Sequence, residues 1–212
     1  MKLYFTPNSN PRLALTYARY LGFGDNPDLP IEFINASTIG DEGRKAAQSL
    51  TPMGLFPILQ ENDGSVLWEA DSIACRLSQI ANPGMWVTEP DLLPQFVRWL
   101  SWCGQHLNKH GGEIYFERVV RPHLWEGDMP EDQMNWHLSE FAGCLAVLDT
   151  EYSDKDWLFG ERLTYADFRV ATILAYEEPA KLDLAPFPNV QRFVARMKGL
   201  KYWADPFAGL PA

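Results

Sequence analysis

Residues 51–73 read "TPMGLFPILQENDGSVLWEADSI", and three features of this stretch govern how the rest is read. "FPILQ" and "SVLW" are strand-like runs on either side of Asn62-Asp63-Gly64, a strong hairpin signal because these residues accept the positive φ of a tight turn. Phe56-Pro57 stands where the first of those strands begins. An X–Pro bond there can be cis, which turns the backbone and leaves the N–H and C=O of Phe56 facing outward. Such a pair can bind the peptide bond of a ligand as an added strand does; the plain alternative is a proline that only starts a strand. Glu69-Ala70-Asp71 then opens a helix over "EADSIACRLSQIA". The N–H groups and partial positive charge of that first turn suit a carboxylate, though acidic residues there also simply complement the helix dipole.

Upstream of this stretch, "KLYF" is strand-like and "PRLALTYARYLG" spaces Leu13, Tyr17, Tyr20 and Leu21 helically before Gly22. "PIEFIN" reads as a second strand and "DEGRKAAQSL" as a short helix. The order is β-α-β-α-β-β-α, a parallel pair extended by a hairpin, and it fills residues 1–81. Residues 82–90 lie in the turn-rich "NPGMWVTEPDLLP" and form a linker. From 91 to 212 every periodic segment is helical. One long helix covers 91–110, and 133–152 carries Leu138, Phe141, Leu145, Leu148 and Tyr152 on one face. "YADFRVATILAYEE" and "NVQRFVARMKGL" supply two more. The fold class is therefore α/β followed by an all-α bundle. Thr164-x-x-Asp167 spells a capping box with Leu163 and Phe168 as its staple, a folding signal without chemistry.

A chain of 212 residues with 46% hydrophobic and 22% charged side chains has the balance of a soluble globular protein. Eighteen basic against 28 acidic side chains leave a net charge of −10, which argues against nucleic acid or an anionic membrane as the main partner. No apolar run approaches the length of a membrane span, and "MKLYFTPNSN" turns polar too early for a secretion signal. Cys75, Cys103 and Cys144 are widely spaced and odd in number, so neither a disulfide framework nor a metal site is expected, and a reducing cytoplasm fits.

The opening "LYFTPNSNPRLAL" joins a strand to a helix through Thr6, Asn8 and Ser9. Pro11 suits a first helical position, which makes Asn10 the cap and leaves Ser9 just outside. A thiolate placed there would meet the helix dipole and the Ser9 hydroxyl. A free thiol of pKa near 8.5 is only about 3% ionised at pH 7. Lowering that by two units takes roughly 2.7 kcal/mol, within reach of one charge-assisted hydrogen bond and a helix terminus. On the long helix, Trp99, Trp102, His106 and His110 recur at near-helical spacing beside a core face of Phe96, Leu100, Cys103 and Leu107. That stripe either lines an apolar pocket with a polar handle or makes an aromatic core or dimer contact. His123 and His137 show no partner in the sequence, and the four histidines lack metal-ligand spacing.

Four of these segments resemble, in order and at similar intervals, the cytosolic glutathione transferase family. "TPMGLFPIL" resembles its cis-proline segment, and "VLWEADSI" the Glu-Ser segment that holds the γ-glutamyl carboxylate. "WLFGERLTYADF" is similar to its capping-box signature, and "TPNSNPRL" to an active-site turn of serine or atypical type as found in bacterial members. The resemblance covers residues 1–205 and implies a thioredoxin-like domain followed by a helical one. It implies that glutathione, as co-substrate, lies along Phe56, Pro57, Glu69 and Ala70 with its sulfur near Ser9, then Asn10, then Thr6 in order of preference. It further implies an electrophile pocket between the domains at Trp102, His106 and Trp99, a homodimer, no metal, and a detoxifying transfer of the thiolate to an apolar electrophile. Two positions depart from the pattern: Ala70 replaces the serine, and Leu55 replaces a polar residue near the glycine carboxylate, for which Arg44 or Lys45 could substitute. Asn10 stands where beta-type bacterial members carry cysteine, so a mixed disulfide is excluded there. The rival readings are a glutathione-dependent isomerase, dehalogenase or peroxidase, and a non-catalytic protein-binding module, which Ala70 and Leu55 favour.

Overall fold

Leu3 and Phe5, at 0% and 1% exposure, alternate inward along β1 (Lys2–Phe5), as the period of two in a strand requires. The computed structural model describes residues 1–210 and divides into two compact units. One is built from Met1–Trp86 and the residues from Gly199 onward, the other from Val87–Lys198. In the first, β1 is followed by α1 (Ser9–Tyr20), β2 (Glu32–Asn35), α2 (Gly40–Leu50), β3 (Ile58–Gln60), β4 (Val66–Trp68) and α3 (Ala70–Ala81). This is the β-α-β-α-β-β-α order read from the sequence. The sheet order is β2-β1-β3-β4, with β1 parallel to β2 and β3 antiparallel to both of its neighbours. Gly64, at φ 87, closes the β3–β4 hairpin by donating its N–H to Glu61 O at 3.1 Å. Helices α1 and α3 pack together, and the buried Tyr17 hydroxyl lies 2.6 Å from Ser78 Oγ between them.

Helix α1 corrects the expected cap. Asn8, not Asn10, is the capping residue, and Ser9 is the first helical position. The first helical bond runs from the Arg12 N–H to Asn8 O at 2.8 Å. Pro11 thus falls at the third position, where a missing N–H costs as little as at the first because no first-turn N–H has a helical partner.

The second unit holds α4 (Leu93–Trp102), α5 (Asn108–Tyr115), α6 (Glu131–Glu151), α7 (Tyr165–Leu174) and α8 (Pro188–Lys198). The helix expected over 91–110 is longer and less regular. Wide π-helical turns at Cys103–Leu107 and Phe116–Val120 flank α5, so the helical run continues from Leu93 to Val120. Gly111-Gly112 does not stop it, because Gly111 lies where three helices meet. A Cβ there would stand 2.7 Å from Phe141 on α6 and 2.9 Å from Ile173 on α7. At the start of α7 the capping box forms as read. The buried Asp167 carboxylate accepts from the Thr164 N–H at 2.9 Å, Thr164 Oγ at 3.1 Å, the Leu158 N–H at 2.8 Å and the Tyr152 hydroxyl at 3.4 Å. Burial pushes this carboxyl up to about 6 while its four donors pull it down. Among the described residues no helix is long and apolar enough to cross a membrane.

Candidate functional site

Three backbone segments meet at one end of the four-stranded sheet. Tyr4, Ile58 and Trp68 are register partners across β1, β3 and β4. The chain leaves β1 toward Thr6, enters β3 through Phe56-Pro57, and leaves β4 toward Glu69. Because β3 runs opposite to both neighbours, these three ends coincide. Two strand spacings of about 4.8 Å separate the outer pair by about 10 Å, the length of an extended tripeptide at roughly 3.4 Å per residue.

At the centre of this end the Phe56–Pro57 bond is cis. Pro57 is buried, Phe56 half-buried, and Leu55 is 63% exposed. Among the described residues none accepts from the Phe56 N–H or donates to its carbonyl, so the donor–acceptor pair is available to a ligand. On the β4 side, Glu69 is exposed and holds φ 70, ψ 129, an uncommon conformation for a residue with a Cβ. Its carbonyl accepts from the Ile73 N–H and from Ser72 Oγ, both at 3.1 Å, so the bend is tied into the first turn of α3. The Ala70 N–H, first in that helix, has no acceptor among the described residues. Arg76 on α3 grips Glu61 of the hairpin bidentately, at 2.8 and 2.9 Å, and keeps helix and hairpin together.

On the β1 side, Thr6 and Ser9 are half-buried and Asn10 is exposed. No described residue bonds the Thr6 or Ser9 hydroxyl. Ser9, at the first position of α1, therefore offers its hydroxyl beside the positive end of a helix dipole. Arg44 and Lys45 are exposed on α2, and Arg44 pairs with Asp41 at 3.1 Å.

In the helical unit, Trp99 is 5% exposed and meets Trp102 edge-on at 5.3 Å. Half-buried Trp102 is followed by exposed His106 at 6.4 Å, within the π-helical turn. His110 leaves this group. Its Nδ1 lies 3.2 Å from Nδ1 of His137 on α6, and both rings are 4% exposed. Burial first, then the charges of His137 and Lys109, hold the His110 imidazole below its usual range, against an opposing pull from Glu140.

The fold superposes on the theta class glutathione S-transferase from Xanthomonas axonopodis pv. citri with glutathione bound, at a TM-score of 0.80 and 20% identity. The superposition covers 95% of this chain and 94% of that one. The family described as "Glutathione S-transferase, C-terminal domain" matches residues 112–200. Its helical half thus matches that family's C-terminal domain, and the chain as a whole has the glutathione S-transferase fold. Its first unit is the thioredoxin-like half of that fold and its second the helical half. Among curated relatives, the chain is 29% identical over 162 residues to elongation factor 1-gamma of Carassius auratus, an alignment that covers 74% of this chain. It spans only 35% of that relative's length. It is 25% identical over 196 residues to maleylacetoacetate isomerase of Pseudomonas aeruginosa, covering 91% of this chain and 88% of the isomerase.

Two features of the structure escaped the sequence reading. The partner of His137 is His110, 27 residues away on another helix, and no local pattern links them. Arg12 and Arg19 on α1 are 8% and 7% exposed. Their seven-residue spacing was the available signal, since it sets both on one face of α1.

Proposed function

We propose that this chain is a glutathione-dependent transferase. The tripeptide lies extended across the sheet end. Its central peptide pairs with the Phe56 N–H and C=O beside Pro57. Its γ-glutamyl carboxylate docks on the Ala70 N–H at the start of α3, with Glu69 accepting from the ammonium group. The cysteine sulfur then comes to the β1 side, where Ser9, ahead of Asn10 and Thr6, donates to it and holds it as thiolate. The observation that supports this reading best is the meeting of the three segments over about 10 Å, the span of the ligand. Without the serine hydroxyl, Ala70 contributes only its N–H, and exposed Leu55 gives no polar contact. Affinity is accordingly weaker by about 1–3 kcal/mol than with both groups present.

Catalysis is orientation plus thiolate stabilisation. The sulfur lone pair forms the new C–S bond with an apolar electrophile, and the displaced electron pair leaves with the departing group or moves onto the acceptor. Trp102 and His106, with Trp99 behind them, are the side chains proposed to meet that electrophile. A homodimer in a reducing cytoplasm belongs to the same reading, and a single monomeric species in sedimentation would reject the dimer. Calorimetric titration with glutathione tests the whole. Millimolar or tighter binding is expected, and no heat at millimolar ligand would favour the protein-binding alternative that the elongation factor relative suggests. Because the isomerase relative aligns with 91% of the chain, cis–trans isomerisation of a maleyl substrate is the second activity to assay. Ser9→Ala should raise the pH at which bound thiolate absorbs by about one unit, corresponding to roughly 1.4 kcal/mol. An unchanged curve would pass the role to Asn10.

A further inference from the structure

Burying a guanidinium is costly unless its donors are met. For Arg12 and Arg19 one donor each is met by the segment that returns to the first unit after Lys198. Arg12 Nη2 donates to Trp203 O, and Arg19 Nη1 donates to Pro206 O at 2.6 Å. Arg12 also lies 4.9 Å over the Trp203 ring, and Arg19 lies 3.9 Å over that of Tyr202. Asp25 accepts from Lys201 Nζ at 2.9 Å and from the Tyr202 hydroxyl. Phe207 stacks on Phe5 at 6.0 Å. Tyr202 holds φ 65 in the middle of this lattice, a conformation that a bulky residue keeps only where its surroundings fix it.

These contacts bracket the turn of residues 6–8. Phe5 is the last residue before it. Arg12 closes it, since its N–H makes the first helical bond to Asn8 O while its side chain is tied to Trp203. We propose that the Tyr202–Phe207 segment is a brace that positions the Thr6–Ser9 turn, with Arg12 as the positioning residue and Trp203 as its anchor. This rests on the reading of Ser9 as the sulfur's donor, because it assigns the brace a role in setting how well a sulfur is held there.

The test uses the full chain and a thiol placed by Ser9→Cys, whose pKa is read from the pH dependence of its alkylation by iodoacetamide, followed by peptide mass. Cys75 and Cys144 are half-buried with thiols pushed upward by burial, and Cys103 is buried, so the new thiol reacts first at low pH. Combined with Trp203→Ala, which leaves the Arg12 charge in place, its pKa should rise by about half a unit, a threefold loss of thiolate at a given pH. Arg12→Ala should raise it at least as far, and Arg12→Lys by less. If Trp203→Ala loses its far-ultraviolet helix signal, Trp203→Leu is read in the same way. A pKa that moves with Arg12→Ala alone, or with neither variant while the melting temperature falls, overturns the brace and leaves only a charge or a stabilising strap. The introduced thiol reads the turn without glutathione, so failure of the unaltered chain to bind the tripeptide would sink the proposed function and not this result.

Discussion

Glu69 keeps an L side chain at φ 70, a geometry that costs on the order of 1–3 kcal/mol and persists at sites where it serves a function. Glu69→Gly separates the two sides of that trade. Removing the Cβ relieves the bend and, after the added freedom of the unfolded chain is subtracted, should raise stability by about 1 kcal/mol in urea denaturation. The same change removes the proposed ammonium acceptor, so glutathione affinity should fall roughly tenfold by calorimetry. Lower stability in the glycine variant would refute the strain argument. Asp167 is the opposite kind of residue, engaged wholly in folding. Asp167→Ala leaves donors from Leu158, Thr164 and Tyr152 buried without an acceptor, and should cost about 2 kcal/mol or more. A loss under about 0.5 kcal/mol, the size of an ordinary surface substitution, would contradict that role.

At the level of elements, neighbouring glycines should respond in opposite directions. Gly111→Ala drives a methyl into Phe141 and Ile173, and overpacking of about 1–3 kcal/mol outweighs the roughly 1 kcal/mol gained in helix propensity. Gly112→Ala meets nothing within 4 Å and should keep that gain. Thermal or urea midpoints of the two variants settle the matter; shifts of the same sign would refute the packing argument. This pair also shows what the sequence conceals. The hairpin, the cis-proline segment and the capping box were legible because each is written in adjacent residues with a local geometric demand. Gly111-Gly112 reads as a helix stop by the same local rules, and only the approach of α6 and α7 reverses its meaning. The cap at Asn8 was missed for a similar reason. Pro11 is equally comfortable at the first or third position of a helix, so the pattern fixes the turn only to within two residues. Of the candidate site, the three segments were legible as local motifs, but that they converge required the strand register.

Across the whole molecule, the buried His110–His137 contact makes stability depend on pH. The His110 imidazole is held below its ordinary value, so as pH falls through about 6.5 the unfolded chain takes up a proton that the folded one refuses. Its contribution is intact above that pH and fades as the pH drops toward the folded value. Urea midpoints should therefore decline from pH 7 to 5.5, and His110→Gln should flatten the decline; an equal slope in both would remove His110 as the cause. Neither this contact nor the arginine brace was visible in the sequence. His110 and His137 lie 27 residues apart, and Arg12 and Trp203 lie 191 apart, so each pair is joined only by the folded chain.

The first unit is thus written in two pieces separated by the whole of the second. A ribosome that has finished the sheet and α3 has still made an incomplete first unit, with Arg12 and Arg19 waiting for carbonyls more than 180 residues downstream. Recombination between relatives at a single crossover after Trp86 would hand those arginines a foreign ending. A working chimera needs two borders, one on each side of the helical unit.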